Sequence, residues 1–248
     1  MIATVEISCN TDVVAHPMKS ELEPTQCIEY LGFAINSVEM TVRLNDRQTK
    51  KIIEAYTSLL SCNSCTLLKL AKVVGLLVAS FPGVEFGQIF YRRLDNAKNS
   101  ALKENKGNFN SIITIDSDMK SDLEWWIENI ELAYNPLSHG NPTMTIYSDA
   151  SKRGWGVACN GTKSGGIWDA DEANLHINML ELKAAWFGLR CFANNLENIH
   201  IKLKIDSTTP LAYIGNMGGK LTPLNDLARK IWLWCKERHI FRRLHSLG

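Results

Sequence analysis

Apolar and polar residues alternate in two segments of the second half of the chain, and this alternation predicts β-strands. In "TMTIYSD", Met144 and Ile146 fall on the face opposite to Asp149. In "IHIKLKID", the isoleucines and the leucine fall on the face opposite to Lys204 and Asp206. Between these segments, "GWGVACNG" and "SGGIWD" predict two short strands that "NGTKSG" joins into a hairpin.

Helical spacing of apolar residues predicts six helices. Three lie in the first half: "DRQTKKIIEAYTSLL" with Asp46 as a cap, "TLLKLAKVVGLLVASF" beginning at Thr66, and "SDMKSDLEWWIENIELAY" beginning at Ser117 or Ser121. Three lie in the second half: "INMLELKAAWFGLRCFANNL", a segment after "STTP", and "PLNDLARKIWLWCKERH".

These elements divide the chain into three parts. Residues 1–45 carry short β-like runs, including "IEYLGFAI" and "MTVRL", and residues 46–140 carry the first three helices. The dipeptide "NP" and then "SHGNP" predict a linker. Residues 141–248 combine strands and helices, so the sequence predicts an α/β chain whose last part has a central sheet.

The composition excludes some broad classes of protein. With 45% hydrophobic and 21% charged residues, the composition is that of a folded protein and not of a disordered one. Because the net charge is only +1, any surface that binds nucleic acid must be a local patch of basic residues. The start "MIATVEISCNTD" lacks the features of a secretory signal, and "VVGLLVASF" is too short to span a bilayer. Seven scattered cysteines then predict a reduced, intracellular protein, without separating cytoplasm from nucleus.

Three carboxylates are predicted to converge. A right-handed crossover through the long helix places the strands that end in Asp149 and Asp206 side by side, so that both residues lie at the same edge of the sheet. Glu181 lies in the first turns of that helix, where small residues allow close approach to the sheet. Each residue alone also fits an ordinary turn, cap or solvated position; the combination favours a site that needs a cation to offset the mutual repulsion.

Hard oxygen ligands of this kind suit Mg²⁺, with Mn²⁺ as a substitute. A site with two ions activates water on one side of a phosphodiester and stabilises the leaving oxygen on the other. The predicted chemistry is therefore metal-dependent phosphodiester hydrolysis.

Several motifs resemble the ribonuclease H domain of reverse transcriptases: "YSDAS", "GWG", "HINMLELKAA" and "IDSTT". "HINMLELKAA" and "YIGNMGG" are most similar to reverse transcriptases of DIRS-type, tyrosine-recombinase retrotransposons. Upstream, "HPMKSELEPTQCIEYLGFAINSVEMTVRL" resembles the end of the polymerase palm, with an "LGF" hairpin that grips the primer. "LLKLAKVVGLLVASFPGVEFGQIFYRRLD" and "ALKENKGNFNSIITIDSDMKSDLEWWIENI" resemble the thumb and connection.

The resemblance implies a fold and a function. The fold is an RNase H-like mixed sheet with flanking helices in residues 141–248, preceded by a helical thumb and connection in 46–140 and a β remnant of the palm in 1–45. The function is metal-dependent endonucleolytic cleavage of RNA in an RNA–DNA hybrid, as part of a retrotransposon reverse transcriptase. The sequence leaves open whether a separate chain supplies the polymerase part of the element. Asp149, Glu181 and Asp206 would take the places of the family's first three metal-binding acids.

Asn178 resembles a family asparagine that touches the minor groove of the hybrid from the helix N-terminus. An asparagine there can donate to sugar and base-edge acceptors. An ordinary polar residue in the first helical turn is the alternative.

Two departures from the family limit this expectation. The paired aspartates of the polymerase motif "Y-x-D-D" occur nowhere, so DNA synthesis by this chain alone is not expected. The family's fourth carboxylate has no counterpart, since no Asp or Glu follows Glu237; His245 and Gly248 resemble the preceding "H-x-P-G" loop. The alternative function is therefore a catalytically impaired fragment that binds nucleic acid.

Basic residues near the C-terminus offer a binding surface for phosphates. We expect Arg242 and Arg243 to contact nucleic acid, although solvation of the last helix explains several of these cations equally well. The seven are Lys220, Arg229, Lys230, Lys236, Arg238, Arg242 and Arg243. The tryptophan pairs of "EWWIENI" and "IWLWC" favour core packing over base stacking.

Overall fold

The computed structural model describes residue 21 and residues 23–246, with side chains up to Ile240. The described chain has an α/β fold with three sheets, of which one is the mixed sheet of the second half. The predicted fold class, α/β with a mixed sheet preceded by helices and a short β region, is confirmed. No helix in this part of the chain is long and apolar enough to cross a membrane.

The first sheet is antiparallel and has the order β1-β2-β3-β6. Leu31 and Gly32 form the tight turn between β1 and β2, with φ of 50° and 88°, so "LGF" does lie in a hairpin. Positive φ at both positions is the backbone of a two-residue hairpin turn. The strands are β1 Cys27–Tyr30, β2 Phe33–Asn36, β3 Thr41–Leu44 and β6 Asn135–Pro136.

Four helices and a small hairpin follow. The side chain of Thr66 caps α2 as predicted, by accepting from the backbone N–H of Lys69 at 3.2 Å. The helices are α1 Asp46–Leu60, α2 Leu67–Ser80, α3 Arg92–Glu104 and α4 Ser117–Asn129; the hairpin pairs β4 Ser64–Thr66 with β5 Ile112–Thr114. In "CNSC", Cys65 is buried and the half-buried Cys62 donates its thiol to the Ser58 carbonyl, as expected of structural thiols.

One predicted cap is wrong by one position, and the structure decides between the two starts predicted for another helix. Asn45, not Asp46, accepts from the backbone N–H of Gln48 and caps α1. Asp116 caps α4, which therefore begins at Ser117 and not at Ser121. In both cases an extended residue stands immediately before the first helical one, and its side chain reaches the free N–H groups of the first turn.

The sequence also failed to predict helix α3. Its segment "RRLDNAKNSALKE" buries only Leu94 completely among its residues, so the apolar periodicity is thin. The helix is held by tertiary contacts with α2 and α4 rather than by its own apolar face.

The mixed sheet has the order β11-β10-β7-β8-β9. β7, β8 and β9 form an antiparallel meander, and β10 and β11 continue the sheet in parallel beside β7. The meander turn is shorter than predicted, because only Asn160 and Gly161 form it, with φ of 49° and 81°. The strands are β7 Met144–Ala150, β8 Gly154–Cys159, β9 Thr162–Ile167, β10 His200–Ile205 and β11 Phe241–Ser246.

Three helices cover one face of this sheet. α6 packs on β7 and β8, while α7 packs on β10 and β11 and against α8. These are α6 Ile177–Ala193, α7 Thr208–Gly215 and α8 Thr222–Glu237, with the short α5 Ala170–Ala173 before them.

The end of the described chain corrects one expectation. His245 does not lie in a loop but in strand β11, where it pairs with Lys204. Gly248, expected in the same loop, lies outside the described residues.

Tryptophans pack at the junction of the two halves, as predicted. Trp126 is fully buried and donates its indole N–H to the Phe90 carbonyl, while Trp125 stacks on the Phe90 ring with centroids 3.8 Å apart. Both Trp232 and Trp234 are buried. The helical part and the mixed-sheet part therefore share one continuous core.

Candidate active site

Asp149 and Asp206 come together at one edge of the mixed sheet. β7 and β10 are parallel neighbours whose register pairs Ile205 with Ser148, so the next residue of each strand is an aspartate. Both aspartates are exposed. The alternation that predicted the two strands is borne out, since Ile146 and Ser148 are buried on the opposite face.

Glu181 approaches the same edge from helix α6 and is only 6% exposed. Ala184 and Ala185 are fully buried where α6 packs on the sheet. At Gly188, an added Cβ would come within 3.0 Å of the Ile146 side chain. These small residues bring the helix axis close to β7, and the helix in turn brings the Glu181 carboxylate to the sheet.

The three carboxylates interact electrostatically. Burial, followed by the negative charges of Asp149 and Asp206, raises the pKa of Glu181 to about 7. The backbone of Ala150 opposes this shift through a hydrogen bond to the carboxylate. A buried acid that two neighbouring acids repel is the arrangement that a bound cation relieves.

Two polar atoms at this edge are buried without a hydrogen-bond partner, namely Oε2 of Glu181 and Oγ of Ser148. An unpaired buried carboxylate oxygen costs free energy unless it coordinates something. Together with two exposed aspartates, it makes a set of hard oxygen donors that fits Mg²⁺ or Mn²⁺. Within the part of the chain that the structure describes, no group of three or more His, Cys, Asp and Glu side chains is positioned to hold a metal ion.

The turn between β7 and β8 is fastened to the helix that carries Glu181. Lys152 donates to the backbone carbonyl of Leu175 at 2.5 Å, just before α6 begins. Ser151 closes the turn through hydrogen bonds with Arg153 and Gly154. Sequence reasoning missed this role of Lys152, because a basic residue in a Gly-containing turn looks like an ordinary exposed cation.

Asn178 lies where it was predicted, in the first turn of α6, and its backbone N–H donates to Nδ1 of the capping residue His176. It also lines a cavity of about 480 Å³ between the N-termini of α6 and α8. The other lining residues are Leu175, His176, Met179, Leu221, Pro223 and Leu224. No local sequence signal pointed to this cavity, since its two sides are formed by separate helices.

The predicted basic surface is only partly available. Arg229 is not a surface cation, because it donates to the fully buried carboxylate of Asp122 at 2.6 Å and to the Ile89 carbonyl at 2.6 Å. Arg242 and Arg243 lie in β11 in register with Ile201 and Lys202, and their side chains lie outside the described residues.

Comparisons with known proteins give structural likenesses alone. No protein-family model matches the chain, and no curated protein sequence does. Foamy viral protease–reverse transcriptase in complex with an RNA/DNA hybrid matches 90% of this chain and 30% of its own, at 15% identity and a TM-score of 0.38. The same protein in complex with double-stranded DNA matches 90% of this chain and 46% of its own, at 16% identity and a TM-score of 0.36.

The chain thus spans less than half the length of these solved chains. TM-scores this low do not indicate what this chain does. Its function is inferred from the carboxylate site.

Proposed function

We propose that this protein cleaves the RNA strand of RNA–DNA hybrids by metal-dependent hydrolysis, with Asp149, Glu181 and Asp206 holding two Mg²⁺ ions. The observation that carries the proposal is the buried Glu181, with an unpaired carboxylate oxygen, beside two aspartates at the ends of adjacent parallel strands. A structural glutamate at this position would be expected to have a partner for both oxygens.

The three carboxylates differ in exposure and would therefore have different roles in the site. Asp149 and Asp206 are exposed, so a phosphodiester at the sheet edge can reach them. Glu181 is buried, and helix α6 brings it to the same edge from the face of the sheet that carries the helices. When bound, the ions supply Lewis-acid stabilisation of the phosphate and activation of water. Asn178, at the start of the same helix, would contact the minor groove of the hybrid and orient the strand.

The wider assignment is also a proposal. We infer that the chain is the C-terminal part of a reverse transcriptase of a DIRS-type retrotransposon, with a palm remnant in residues 1–45, a thumb and connection in 46–140 and the nuclease in 141–248. The motif resemblance supports this division, as does the hairpin at Leu31 and Gly32.

Cleavage of a labelled RNA–DNA hybrid tests the proposal, with RNA–RNA and DNA–DNA duplexes of the same sequence as substrate controls. We expect cleavage of the hybrid alone, with Mg²⁺ or Mn²⁺, and its loss in Asp149→Asn. Asp46→Asn, which alters an exposed aspartate of α1, is the matched control and should cleave like the wild type. Cleavage that survives Asp149→Asn would refute the assignment.

The alternative, a binding fragment without catalysis, is separated by the same assay. It predicts hybrid binding with no cleavage in either metal. The observation that favours it is that, among the described residues, no group of three or more His, Cys, Asp and Glu side chains is positioned to hold a metal ion.

A further inference from the structure

The mixed sheet has a face that carries helices and a second face, here called the open face. Helix α6 packs on β7 and β8, α7 packs on β10 and β11, and α8 packs on α6 and α7. Within the part of the chain that the structure describes, no helix packs on the other face. Asp149 belongs to this open face, because it alternates with the buried Ser148.

A row of residues crosses the open face beside Asp149. The register pairs Lys163 of β9 with Ala158 of β8, Ala158 with Tyr147 of β7, and Tyr147 with Lys204 of β10. Because paired residues of neighbouring strands share a face, these four side chains form one line across the sheet. The line lies two residues from Asp149 along β7.

The row combines positive charge with an aromatic ring. Tyr147 is 42% exposed, and Nζ of Lys204 lies 5.1 Å from the centroid of its ring. Lys202, in the next row of β10, pairs with Thr145 and adds a third cation on the same face. Among the described residues, none of the three lysines forms an ion pair, and no acidic residue belongs to either row.

The face is also shaped to admit a flat group. A shallow depression of about 280 Å³ lies against Tyr147, and Gly156 and Lys163 contribute to its lining. A Cβ added at Gly156 would meet nothing within 4 Å, so the space above this glycine is open.

We propose that this open face binds single-stranded nucleic acid next to the carboxylate site, with phosphates at Lys163, Lys202 and Lys204 and a base stacked on Tyr147. The proposal deepens the proposed function and rests on it for the choice of nucleic acid over an acidic protein. Exposed lysines beside an aromatic platform are the combination that binds single strands without sequence preference. A second copy of the chain fits poorly, because two such faces would bring lysines against lysines.

The row sets the length of strand that it contacts. Lys163 and Lys204 lie three strand spacings apart, which is about 14 Å. At a stacked rise of about 3.4 Å per nucleotide, that distance covers about four nucleotides. A short oligonucleotide is therefore sufficient to occupy the face.

The test measures binding without catalysis. Fluorescence anisotropy of a labelled single strand of about ten nucleotides is recorded with the full chain in EDTA over a range of salt concentrations. Tyr147→Ala should weaken binding about tenfold or more, and Tyr147→Phe, which keeps the ring, should restore it. The double variant Lys163→Gln/Lys204→Gln should reduce the slope of log affinity against log salt by about 1.4, or about 0.7 for each lost phosphate contact.

A double variant of two exposed lysines on α1, Lys50→Gln/Lys51→Gln, is the matched control and should leave both affinity and slope unchanged. Equal effects of the two double variants would overturn the proposal, as would a wild-type chain that does not bind the strand. Polyglutamate that competes as well as the oligonucleotide would show a surface for acidic protein and would overturn it too.

These results are separable from the proposed function. Asp149→Asn should bind the strand in EDTA at least as tightly as the wild type, because it removes a negative charge beside the face, even though cleavage is lost. Binding that depends on Tyr147, in a chain that never cleaves a hybrid, would support the face and refute the nuclease. Hybrid cleavage by a chain in which the Tyr147 and lysine variants bind the strand like the wild type would support the nuclease and refute the binding face.

Discussion

Arg229 of helix α8 donates to Asp122 of helix α4 across 107 residues of sequence, with 2.6 Å between Nη2 and Oδ1. Asp122 is fully buried, and Arg93 places a second guanidinium 3.7 Å from the same oxygen. Because one partner belongs to the helical part and the other to the mixed-sheet part, this ion pair fixes the two parts to one another.

Asp122→Ala should therefore destabilise the whole chain. It leaves the Arg229 guanidinium buried beside Phe90 with no carboxylate, and removing one partner of a buried pair costs about 3–5 kcal/mol. Urea unfolding measures the loss. Asp118→Ala, which removes an exposed partner of Arg93, is the control and should cost less than about 1 kcal/mol. Equal losses would show that the buried pair is not a joint between the parts.

Gly188→Val should push α6 away from the sheet. An added Cβ already lies 3.0 Å from the Ile146 side chain and 3.2 Å from Val157, so two further methyl groups overpack this contact at a cost of about 1–3 kcal/mol. Hybrid cleavage should fall as well, since Glu181 moves with the helix. Circular dichroism melting and the cleavage assay measure the two effects.

Gly75→Ala is the matched control for that prediction. Gly75 is an exposed glycine within α2, and its Cβ would meet nothing within 4 Å. The substitution should stabilise the chain by up to about 1 kcal/mol, because alanine is the better helix former. A Gly188→Val variant as stable as Gly75→Ala would contradict the close approach of α6 to β7.

Glu85 should make stability depend on pH. Burial raises the pKa of Glu85 from its ordinary value to about 7. The folded chain therefore holds this proton more tightly than the unfolded chain, and the stabilisation present at low pH is lost as pH rises through about 7. The loss amounts to up to about 3 kcal/mol.

Glu85→Gln removes this ionisation, together with the charge that faces His139, whose Nε2 lies 3.6 Å from the carboxylate. The variant should gain stability relative to wild type as pH rises from 5 to 8, in thermal melts recorded at each pH. A difference between the two chains that stays constant with pH would contradict the raised pKa.

Asn178→Ala should weaken recognition of the hybrid rather than the chemical step. We expect KM to rise several-fold with kcat little changed, because a contact to the minor groove is made in both the ground state and the transition state. Asn194→Ala, at the other end of the same helix, is the control and should change neither. An unchanged KM in Asn178→Ala would make Asn178 an ordinary residue of the first helical turn.

The sequence predicted those features that depend on one strand or one helix at a time. Alternation placed Asp149 and Asp206 at strand ends, and helical spacing placed Glu181 near the start of α6; one crossover rule then brought them together. The Arg229–Asp122 pair escaped notice because its members are ordinary charged residues far apart in the chain. The place of His245 inside strand β11 escaped because His245 resembled a residue of the family's loop, while pairing with β10 gives that backbone its hydrogen bonds.

Titration of Mn²⁺ into the full chain, with electron paramagnetic resonance to count free ions, tests whether the three carboxylates hold metal ions. We expect saturable Mn²⁺ binding in the wild type that Mg²⁺ displaces, its loss in Glu181→Gln and in Asp149→Asn, and its retention in Glu54→Gln, an exposed control on α1. Mn²⁺ binding of equal strength in the wild type and Glu181→Gln would contradict a metal site at these carboxylates.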